Sequence, residues 1–210
     1  ARREDDESTS KRVYIMGIIV NSDGKRFVDE SEDTIDMTYS RYGQHALKLP
    51  GRIAFQIFDQ TGYERLQNFI LQDYLSGTFV KADTIEELSE ELAIDPMELQ
   101  KTVDEYNADV QPGGILPYYA HFGDEEDLQA PNITPPKSGN ALALVKAPFY
   151  AFPVTCGITF SFGGIKVNRR GQVMDTSDNV ISGLYATGEI IGGLFYNNYM
   201  GATGLTAGAV

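Results

Sequence analysis

The residue types best suited to chemistry lie in a glycine-rich stretch near the C-terminal end of the chain. Its segments are 183–189 (GLYATGE), 192–193 (GG) and 198–205 (NYMGATGL). Gly188 follows a short apolar run, and because it has no Cβ it lets a flat ligand or another backbone come close. Glu189 comes next and offers a carboxylate to ligand hydroxyls. The small residues 201–209 predict a helix start, where N–H groups and the helix dipole favour negative charge. On spacing alone, a flexible glycine-rich tail is the alternative.

The elements that position this stretch are predicted from hydrophobic spacing and turn residues. The pattern predicts a strand within 13–20, a hairpin turn at 21–24, a helix within 34–47, a strand at 53–58 and a helix at 63–74. Residues 111–140 are rich in Pro, Gly, Asn and Asp and are expected to be mostly irregular. From Pro148 onward, short extended runs separated by turn residues predict a β-meander.

Two further helices carry N-terminal signals. Thr84 and Glu87 form the pattern of a capping box, in which each side chain accepts a hydrogen bond from a backbone N–H. Asp95 is followed by Pro96, which suits the first helical position because proline has no N–H to leave unpaired. The second of these helices, about 96–108, places three apolar side chains on one face: Leu99, Val103 and Tyr106. These features indicate packing.

The composition excludes several classes of function. The net charge is -13 and the pI is near 4.5, so the chain lacks the surplus of Lys and Arg with which proteins bind nucleic acids or anionic membranes. The single cysteine, Cys156, excludes an internal disulfide and is predicted to be buried in an apolar strand. His45 and His121 have no companions at metal-ligand spacing, so no metal site is predicted. No apolar run approaches the roughly 18 residues of a membrane helix and no secretory signal is visible, so a cytoplasmic location is expected.

Three segments together resemble the FAD-dependent fumarate reductase and succinate dehydrogenase flavoprotein family, which includes the 3-ketosteroid dehydrogenases. The glycine-rich stretch is similar to the family's closing motif, GLYAAGE followed by a GG pair and N-[RY]-x-G-G-[NT]-[AG]-L. Residues 17–30 (GIIVNSDGKRFVDE) are similar to the entry to the substrate-capping domain, where Glu30 is expected to pair with Arg26. Residues 155–164 (TCGITFSFGG) are similar to the segment that returns to the flavin. The runs VTCGITFSFGG and GGLFYNNY are most similar to the tricarballylate dehydrogenase branch.

The resemblance implies an α+β fold in two parts. Residues 13–158 correspond to a substrate-capping domain with a mixed sheet and helices. Residues 159–210 correspond to the C-terminal β-meander and helix portion of a Rossmann-like FAD-binding domain, and the charged residues 1–12 to a solvated leader. The family's G-x-G-x-x-G pyrophosphate loop does not occur in the sequence. The chain is therefore expected to be a fragment without the N-terminal half of the FAD domain. Alone it is expected to be colourless and inactive, and to self-associate through exposed strands.

The resemblance also assigns roles to individual residues. It implies non-covalent FAD contacts at Gly163, Gly164, Gly188, Glu189, Gly201, Thr203, Gly204 and Leu205. It implies substrate contacts at Phe160, Ser161 and Tyr199. Tyr199 is the leading catalytic candidate because its hydroxyl can hydrogen-bond substrate or transfer a proton. Tyr39, Arg41 and Tyr42 are further candidates, with core aromatics and a surface charge as the alternatives.

Three positions depart from the fumarate reductase pattern. Residues 31–36 lack the proton-donating Arg, residues 160–164 (FSFGG) lack the substrate-binding His, and Tyr199 replaces a substrate-binding Arg. These departures favour a relative of fumarate reductase. The expected function is hydride transfer with FAD at a carbon–carbon bond of a small di- or tricarboxylate, such as tricarballylate, succinate or fumarate. The sequence does not indicate the electron-transfer partner. A 3-ketosteroid-like substrate, a non-catalytic cap module that binds an organic acid or a partner, and a small lectin-like β domain are the alternatives.

Overall fold

The chain forms two compact units. The computed structural model describes residues 14–69, 79–114, 127–158, 161–201 and 203–209. The first unit comprises Ala1–Ile35 and Gln44–Cys156, and the second comprises Asp36–Gly43 and Gly157–Val210. The sequence predicted a contiguous first domain over 13–158, whereas Asp36–Gly43 group with the second unit. The leader predicted for 1–12 lies outside the described residues.

The described residues contain both helices and antiparallel strands, in agreement with the predicted α+β class. The helices are α1 (Ile35–Lys48), α2 (Gln60–Phe69), α3 (Ile85–Leu92), α4 (Pro96–Asp109) and α5 (Thr203–Ala209), with 3₁₀ turns at Tyr14–Met16, Pro50–Arg52 and Gly188–Ile190. The strands are β1 (Ile18–Val20), β2 (Ala54–Phe58), β3 (Val80–Ala82), β4 (Gln111–Pro112), β5 (Leu128–Gln129), β6 (Phe149–Val154), β7 (Gln172–Met174) and β8 (Val180–Tyr185). Among the helices described, none is both long and apolar enough to cross a membrane.

The first unit is built on a four-stranded antiparallel sheet in the order β1-β2-β6-β3. β1 pairs with β2 through Ile18 and Ile57, and β2 pairs with β6 along its whole length. The run 149–154 therefore lies inside this sheet, although the sequence predicted it as part of a C-terminal β-meander. Ala151 and Phe152 are fully buried there, and burial of apolar surface favours this inner position.

The predicted helix starts before α3 and α4 are confirmed. The Thr84 hydroxyl accepts a hydrogen bond from the Glu87 N–H at 3.1 Å. The Glu87 carboxylate accepts from the Asp83 N–H at 3.0 Å, one residue before the capping position. The Asp95 carboxylate accepts from the N–H groups at the start of α4. The predicted apolar face of α4 is buried in the same cluster as the sheet: Leu99, Val103 and Tyr106. Capping and burial together fix both helices.

A buried group of charged side chains ties the N-terminal part of the first unit to residues 135–138. Glu30 is fully buried and pairs with Arg26 at 2.6 Å, as predicted. Lys137 is also fully buried, and its Nζ lies 3.8 Å from the Glu30 carboxylate. The Lys137 ammonium donates to the carbonyl oxygens of Ile15 and Gly17, both at 2.9 Å. Buried charges are tolerated when they are paired and hydrogen-bonded, and both conditions hold here.

The charge on Arg26 is retained in this cluster. Burial by itself would lower the pKa of Arg26, but the charge and hydrogen bonds of Glu30 raise it above its usual value. Arg26 also donates to the carbonyl oxygens of Pro135 and Pro136, at 2.6 and 3.0 Å. Its guanidinium lies over the ring of Tyr106, 5.6 Å from the centroid. One side chain thus links the segment around residue 26, the 135–136 segment and α4.

Several predicted boundaries near the N-terminal side differ from the structure. The strand expected within 13–20 is a 3₁₀ turn followed by the three-residue β1. The hairpin turn at 21–24 forms, but the strand after it is a single bridge between Val20 and Arg26. The long partner of β1 is instead β2, because that pairing buries both strands completely.

The other predicted elements are present in the described residues, but some of their bounds differ. The helix expected at 34–47 is α1, and the strand expected at 53–58 is β2. The helix expected at 63–74 is α2, which begins earlier, at Gln60, because the Asp59 carboxylate accepts from the Gly62 N–H at 2.8 Å and caps it. Residues 70–74 of that prediction lie outside the described residues. Within residues 111–140, the described parts are irregular except for the short β4–β5 pair and a single bridge between Ala130 and Lys137.

The second unit contains Asp36–Gly43 of α1, the β7–β8 hairpin, the 3₁₀ turn Gly188–Ile190 and α5. β7 and β8 pair antiparallel with an irregular register, and Lys166 pairs with Asp178 in the hairpin turn. Within the described part of the second unit, the other extended runs form only single bridges. The predicted meander is thus reduced to one hairpin, because β6 belongs to the first unit's sheet.

Candidate functional site

Two glycine-containing loops of the second unit lie directly against each other. The Ile165 N–H donates to the Ile190 carbonyl at 2.8 Å, and the Gly192 N–H donates to the Ile165 carbonyl at 3.1 Å. A Cβ on Gly164 would lie 2.4 Å from the Ile190 carbonyl oxygen, and a Cβ on Gly192 would lie 2.6 Å from the Gly164 nitrogen. Both glycines are therefore required for this contact, which we call the loop clamp (residues 161–165 against 188–193).

Glu189 strengthens the loop clamp from the opposite loop. One oxygen of its carboxylate accepts from the Ser161 N–H at 3.0 Å, and the Ser161 hydroxyl donates to the Gly163 carbonyl at 3.2 Å. The Glu189 side chain remains exposed. The sequence predicted that this carboxylate binds ligand hydroxyls. In the structure it orders the loop that carries the predicted substrate residue Ser161.

Three glycines at the clamp, Gly163, Gly188 and Gly193, have open space where a side chain would be. Gly188 and Gly193 have φ angles of 81° and 82°, a conformation that other residues rarely adopt. No atom lies within 4 Å of the Cβ position at either residue. A ligand can therefore approach the backbone closely at both points, as the sequence predicted for Gly188.

An aromatic row runs beside the clamp through Phe162, Phe195, Tyr199 and Tyr39. The ring centroids are 5.8 Å apart for Phe162 and Phe195, 4.9 Å for Phe195 and Tyr199, and 6.2 Å for Tyr199 and Tyr39. The last two contacts are edge-to-face, a favourable arrangement for aromatic pairs. Tyr199 is buried, with 5% of its surface exposed. The row thus brings together two of the predicted catalytic tyrosines.

The predicted helix start lies two residues later than expected. α5 begins at Thr203, and the Thr203 N–H and hydroxyl both donate to the Met200 carbonyl. The Gly201 N–H donates to the Asp36 carbonyl at 2.8 Å, and the Gly204 N–H donates to the Tyr199 hydroxyl at 3.4 Å. In this structure, these three N–H groups are accepted within the chain, by the Asp36 and Met200 carbonyls and the Tyr199 hydroxyl. The role of this helix start toward an anionic ligand stays a prediction.

The remaining predicted residues fall into different environments. Tyr42 is buried and Arg41 is half-buried, both on the part of α1 that belongs to the second unit. Leu205 is 77% exposed on α5, so it makes little packing contact. Cys156 is half-buried beyond the end of β6, which corrects the expected burial inside a strand. His45 lies exposed near the end of α1.

Two predicted positions, Phe160 and His121, lie outside the described residues. Among the residues that are described, no group of His, Cys, Asp and Glu is arranged to hold a metal ion. Sequence reasoning missed Phe195 as a partner of Tyr199, and Phe162 as a partner of Phe195. Both stand within or beside the quoted motifs, so an aromatic residue near each glycine pair is the signal that was available.

Comparison with known proteins gives concordant matches. The family model described as FAD binding domain matches residues 10–205. The NADH:acrylate oxidoreductase of Vibrio harveyi is 33% identical over 190 residues, which is 90% of this chain and 17% of that protein. The 3-oxosteroid 1-dehydrogenase of Mycolicibacterium smegmatis is 30% identical over 214 residues, which is 93% of this chain and 36% of that protein.

A solved structure agrees with these sequence matches. The open conformation of a flavocytochrome c3 fumarate reductase superposes with a TM-score of 0.62 at 30% identity, covering 93% of this chain and 31% of that chain. The chain thus spans between 17% and 36% of the length of these three proteins.

Proposed function

Because the chain belongs to the FAD binding domain family, whose cofactor is FAD, we propose that its second unit holds the ring end of FAD in an oxidoreductase acting on a carbon–carbon bond. The matches confirm the resemblance to fumarate reductases and 3-ketosteroid dehydrogenases. Membership of the tricarballylate branch, and the assignment of the first unit as a substrate cap, remain proposals.

One observation carries this proposal: residues from three distant chain segments meet in the second unit. The segments are 36–43, 161–165 and 188–204. They contain most of the residues for which the sequence predicted cofactor, substrate or catalytic roles. Chemistry at a single ligand requires such groups to lie close together, and the second unit meets this requirement.

The residues present fit a flat ring system. The open faces of Gly188 and Gly193 allow a ligand to contact the backbone, and the loop clamp fixes the two loops on which they lie. Glu189 remains exposed and can accept hydrogen bonds from ligand hydroxyls. Gly163, Gly188 and Glu189 are therefore the residues that we assign to FAD, whereas Leu205 has less support because of its exposure.

The cofactor and the chain would supply different steps of the reaction. Bound FAD would supply hydride transfer at its ring. We assign the accompanying proton transfer to the Tyr199 hydroxyl. A phenol oxygen can accept the Gly204 N–H and still donate its own proton. Burial of Tyr199 among aromatic rings limits the water that could compete for that proton.

We propose a small di- or tricarboxylate as substrate. Arg41 supports this choice because it is the half-buried cation of the second unit, whereas Lys166, Arg169 and Arg170 are exposed. An arginine can bind a carboxylate with two parallel hydrogen bonds. A 3-ketosteroid-like substrate is the second candidate. It is favoured by the tyrosine at position 199 and by the identity to a 3-oxosteroid 1-dehydrogenase.

A ligand titration tests the assignment of the ring end. The purified chain is titrated with FAD, FMN and ADP, and flavin fluorescence is recorded. Because the G-x-G-x-x-G loop is absent from the sequence, we expect FMN to bind within about tenfold of FAD and ADP not to compete. Effective competition by ADP, or no flavin binding at millimolar concentration, would contradict the proposal.

A substrate panel tests the carboxylate assignment in the FAD-loaded enzyme that contains this chain. Flavin reduction or reoxidation is followed with tricarballylate, succinate, fumarate, acrylate and a 3-ketosteroid. Arg41→Gln is expected to raise KM for the carboxylate substrate about tenfold or more, the size of a lost charged hydrogen bond. Arg169→Gln, in an exposed turn, is the matched control. Turnover of the steroid alone would favour the second candidate.

A further inference from the structure

Two hydrogen bonds hold the segment that carries Tyr199 to the first turn of α1. The Asn198 side-chain amide donates to the Met37 carbonyl at 2.8 Å. The Gly201 N–H donates to the Asp36 carbonyl, also at 2.8 Å. A carbonyl oxygen has two lone pairs, so these helix carbonyls can accept a second bond. The two donors stand on either side of Tyr199 in the chain, so they fix its backbone from both directions.

Gly201 is required by this contact for steric reasons. A Cβ at this position would lie 2.6 Å from the Asp36 carboxylate oxygen and 3.0 Å from the Asp36 Cβ. Gly201 is not among the residues with positive φ, so backbone strain is not the reason for a glycine here. The close approach to Asp36 is the reason.

The same part of α1 carries the proposed substrate group. Tyr39 packs edge-on against the Tyr199 ring, and Arg41 follows within the next turn of the helix. All of these residues belong to the second unit. The hydrogen bonds from Asn198 and Gly201 therefore set where Tyr199 lies against the 36–43 segment of α1.

We propose that Asn198 and Gly201 are positioning residues that fix the Tyr199 hydroxyl against the 36–43 segment of α1. A substrate bound in the second unit then meets the proton-transferring group in one orientation. This inference rests on the function proposed above for Tyr199. Displacement of a reacting group by about 1 Å can cost about 100-fold in rate, so loosening this contact should act mainly on turnover.

The test uses two variants that act on different atoms of the contact. Asn198→Asp keeps the side-chain shape but replaces the donor with an oxygen facing the Met37 carbonyl. Gly201→Ala introduces the Cβ that meets Asp36. In the FAD-loaded enzyme, each is expected to lower kcat about tenfold or more with less than about threefold change in KM. Asn197→Gly is the matched control, because Asn197 is exposed with a φ of 62° that glycine accepts readily.

A second measurement reports the contact without catalysis. Hydrogen exchange is measured in peptides covering 36–43 and 198–204 of the full chain. In both variants, the backbone amides of these peptides should exchange faster. The amides of β2 and β6 should exchange at the wild-type rate. Combining Gly201→Ala with Asp36→Ala removes the clashing carboxylate and should restore part of both the protection and kcat. A purely structural role would not give this rescue of turnover.

The outcomes separate this inference from the proposed function. Faster exchange with unchanged kcat in both variants would overturn the positioning role and leave the roles of Tyr199 and Arg41 intact. Unchanged turnover in Tyr199→Phe would instead remove the proposed proton transfer, whatever the Asn198 and Gly201 variants do. Unchanged exchange in both variants would show that the contact does not hold the segment, and would also overturn the inference.

Discussion

Replacing Lys137 with Met tests the buried charge cluster of the first unit. The Lys137 side chain is fully enclosed, donates to two carbonyl oxygens and lies 3.8 Å from Glu30. Burial, the largest influence, lowers the pKa of Lys137 to about 8 from its ordinary 10.5; Arg26 acts in the same direction, and Glu30 opposes it. Methionine has a similar length but no charge, so it removes this titration and leaves the Arg26–Glu30 pair.

The sign and size of the effect follow from the two pKa values. Below pH 8 the lysine is protonated in the folded and unfolded states, and the folded state carries the cost of a buried ammonium. Between pH 8 and 10.5 the unfolded chain binds more protons than the folded chain, so stability rises with pH. Over the first 1.5 pH units of this window, the gain is about 2 kcal/mol.

Urea unfolding followed by far-UV circular dichroism measures this gain. Wild type and Lys137→Met are compared at several pH values from 7 to 9.5, so that titrations common to both proteins cancel. The stability of wild type relative to Lys137→Met should rise by about 2 kcal/mol across the series. Burial, with the Glu30 charge, raises the pKa of Tyr106 well above the usual value. Its linked loss of stability therefore sets in only as the unfolded tyrosine ionises at about pH 10, above this series, and it is common to both proteins. Lys25→Met, at an exposed side chain, controls for the loss of one formal charge.

Two results would refute this reasoning. A difference between wild type and Lys137→Met that stays constant with pH would mean that Lys137 keeps an ordinary pKa, and hence that it is hydrated. An equal pH dependence in the Lys25→Met comparison would mean that the effect comes from net charge and is unrelated to the buried site.

Four further variants test individual contacts. Gly192→Ala should weaken flavin binding about tenfold or more, because its Cβ would lie 2.6 Å from the Gly164 nitrogen; equal FMN affinity in the titration above would contradict this. Asp95→Ala should lower the free energy of unfolding by about 1 kcal/mol through loss of the α4 cap, as urea unfolding would measure. Ala93→Gly should raise the free energy of unfolding by about 0.5–1 kcal/mol. Ala93 has a φ of 56° at the end of α3, a left-handed conformation that glycine adopts more readily than alanine. Leu184→Lys, at a side chain 47% exposed on β8, should reduce the predicted self-association in sedimentation velocity; unchanged sedimentation would argue against β8 as the contact.

Local features of the fold were predictable from the sequence. The caps at Thr84 and Asp95 and the buried face of α4 depend on residues two to four positions apart, which form their contacts within about one helix turn. The pairing of Glu30 with Arg26 has the same short range. The family was also predictable, because its motifs are contiguous and retain their residue types.

Contacts between distant segments were not predictable in the same way. The sequence shows that Lys137 exists, but only the fold brings it to Glu30 and to the carbonyl oxygens of Ile15 and Gly17. It shows an apolar run at β6, but not that β2 and β3 flank this run. These choices depend on which apolar surfaces and charges are buried together, and no local pattern carries that information.

In the candidate site, too, the residue types were predictable from the sequence and the contacts between distant segments were not. The sequence by itself determined the residue types of the site: the glycines, Glu189 and Tyr199, together with the flavoprotein family they indicate. Only the tertiary structure decided that Asp36–Gly43 join the second unit, that Glu189 binds Ser161, and that the amides of Gly201 and Gly204 are accepted within the chain. A backbone amide carries the same donor at every non-proline position. Which acceptor it meets is therefore decided by the path of the chain and cannot be read from residue identity.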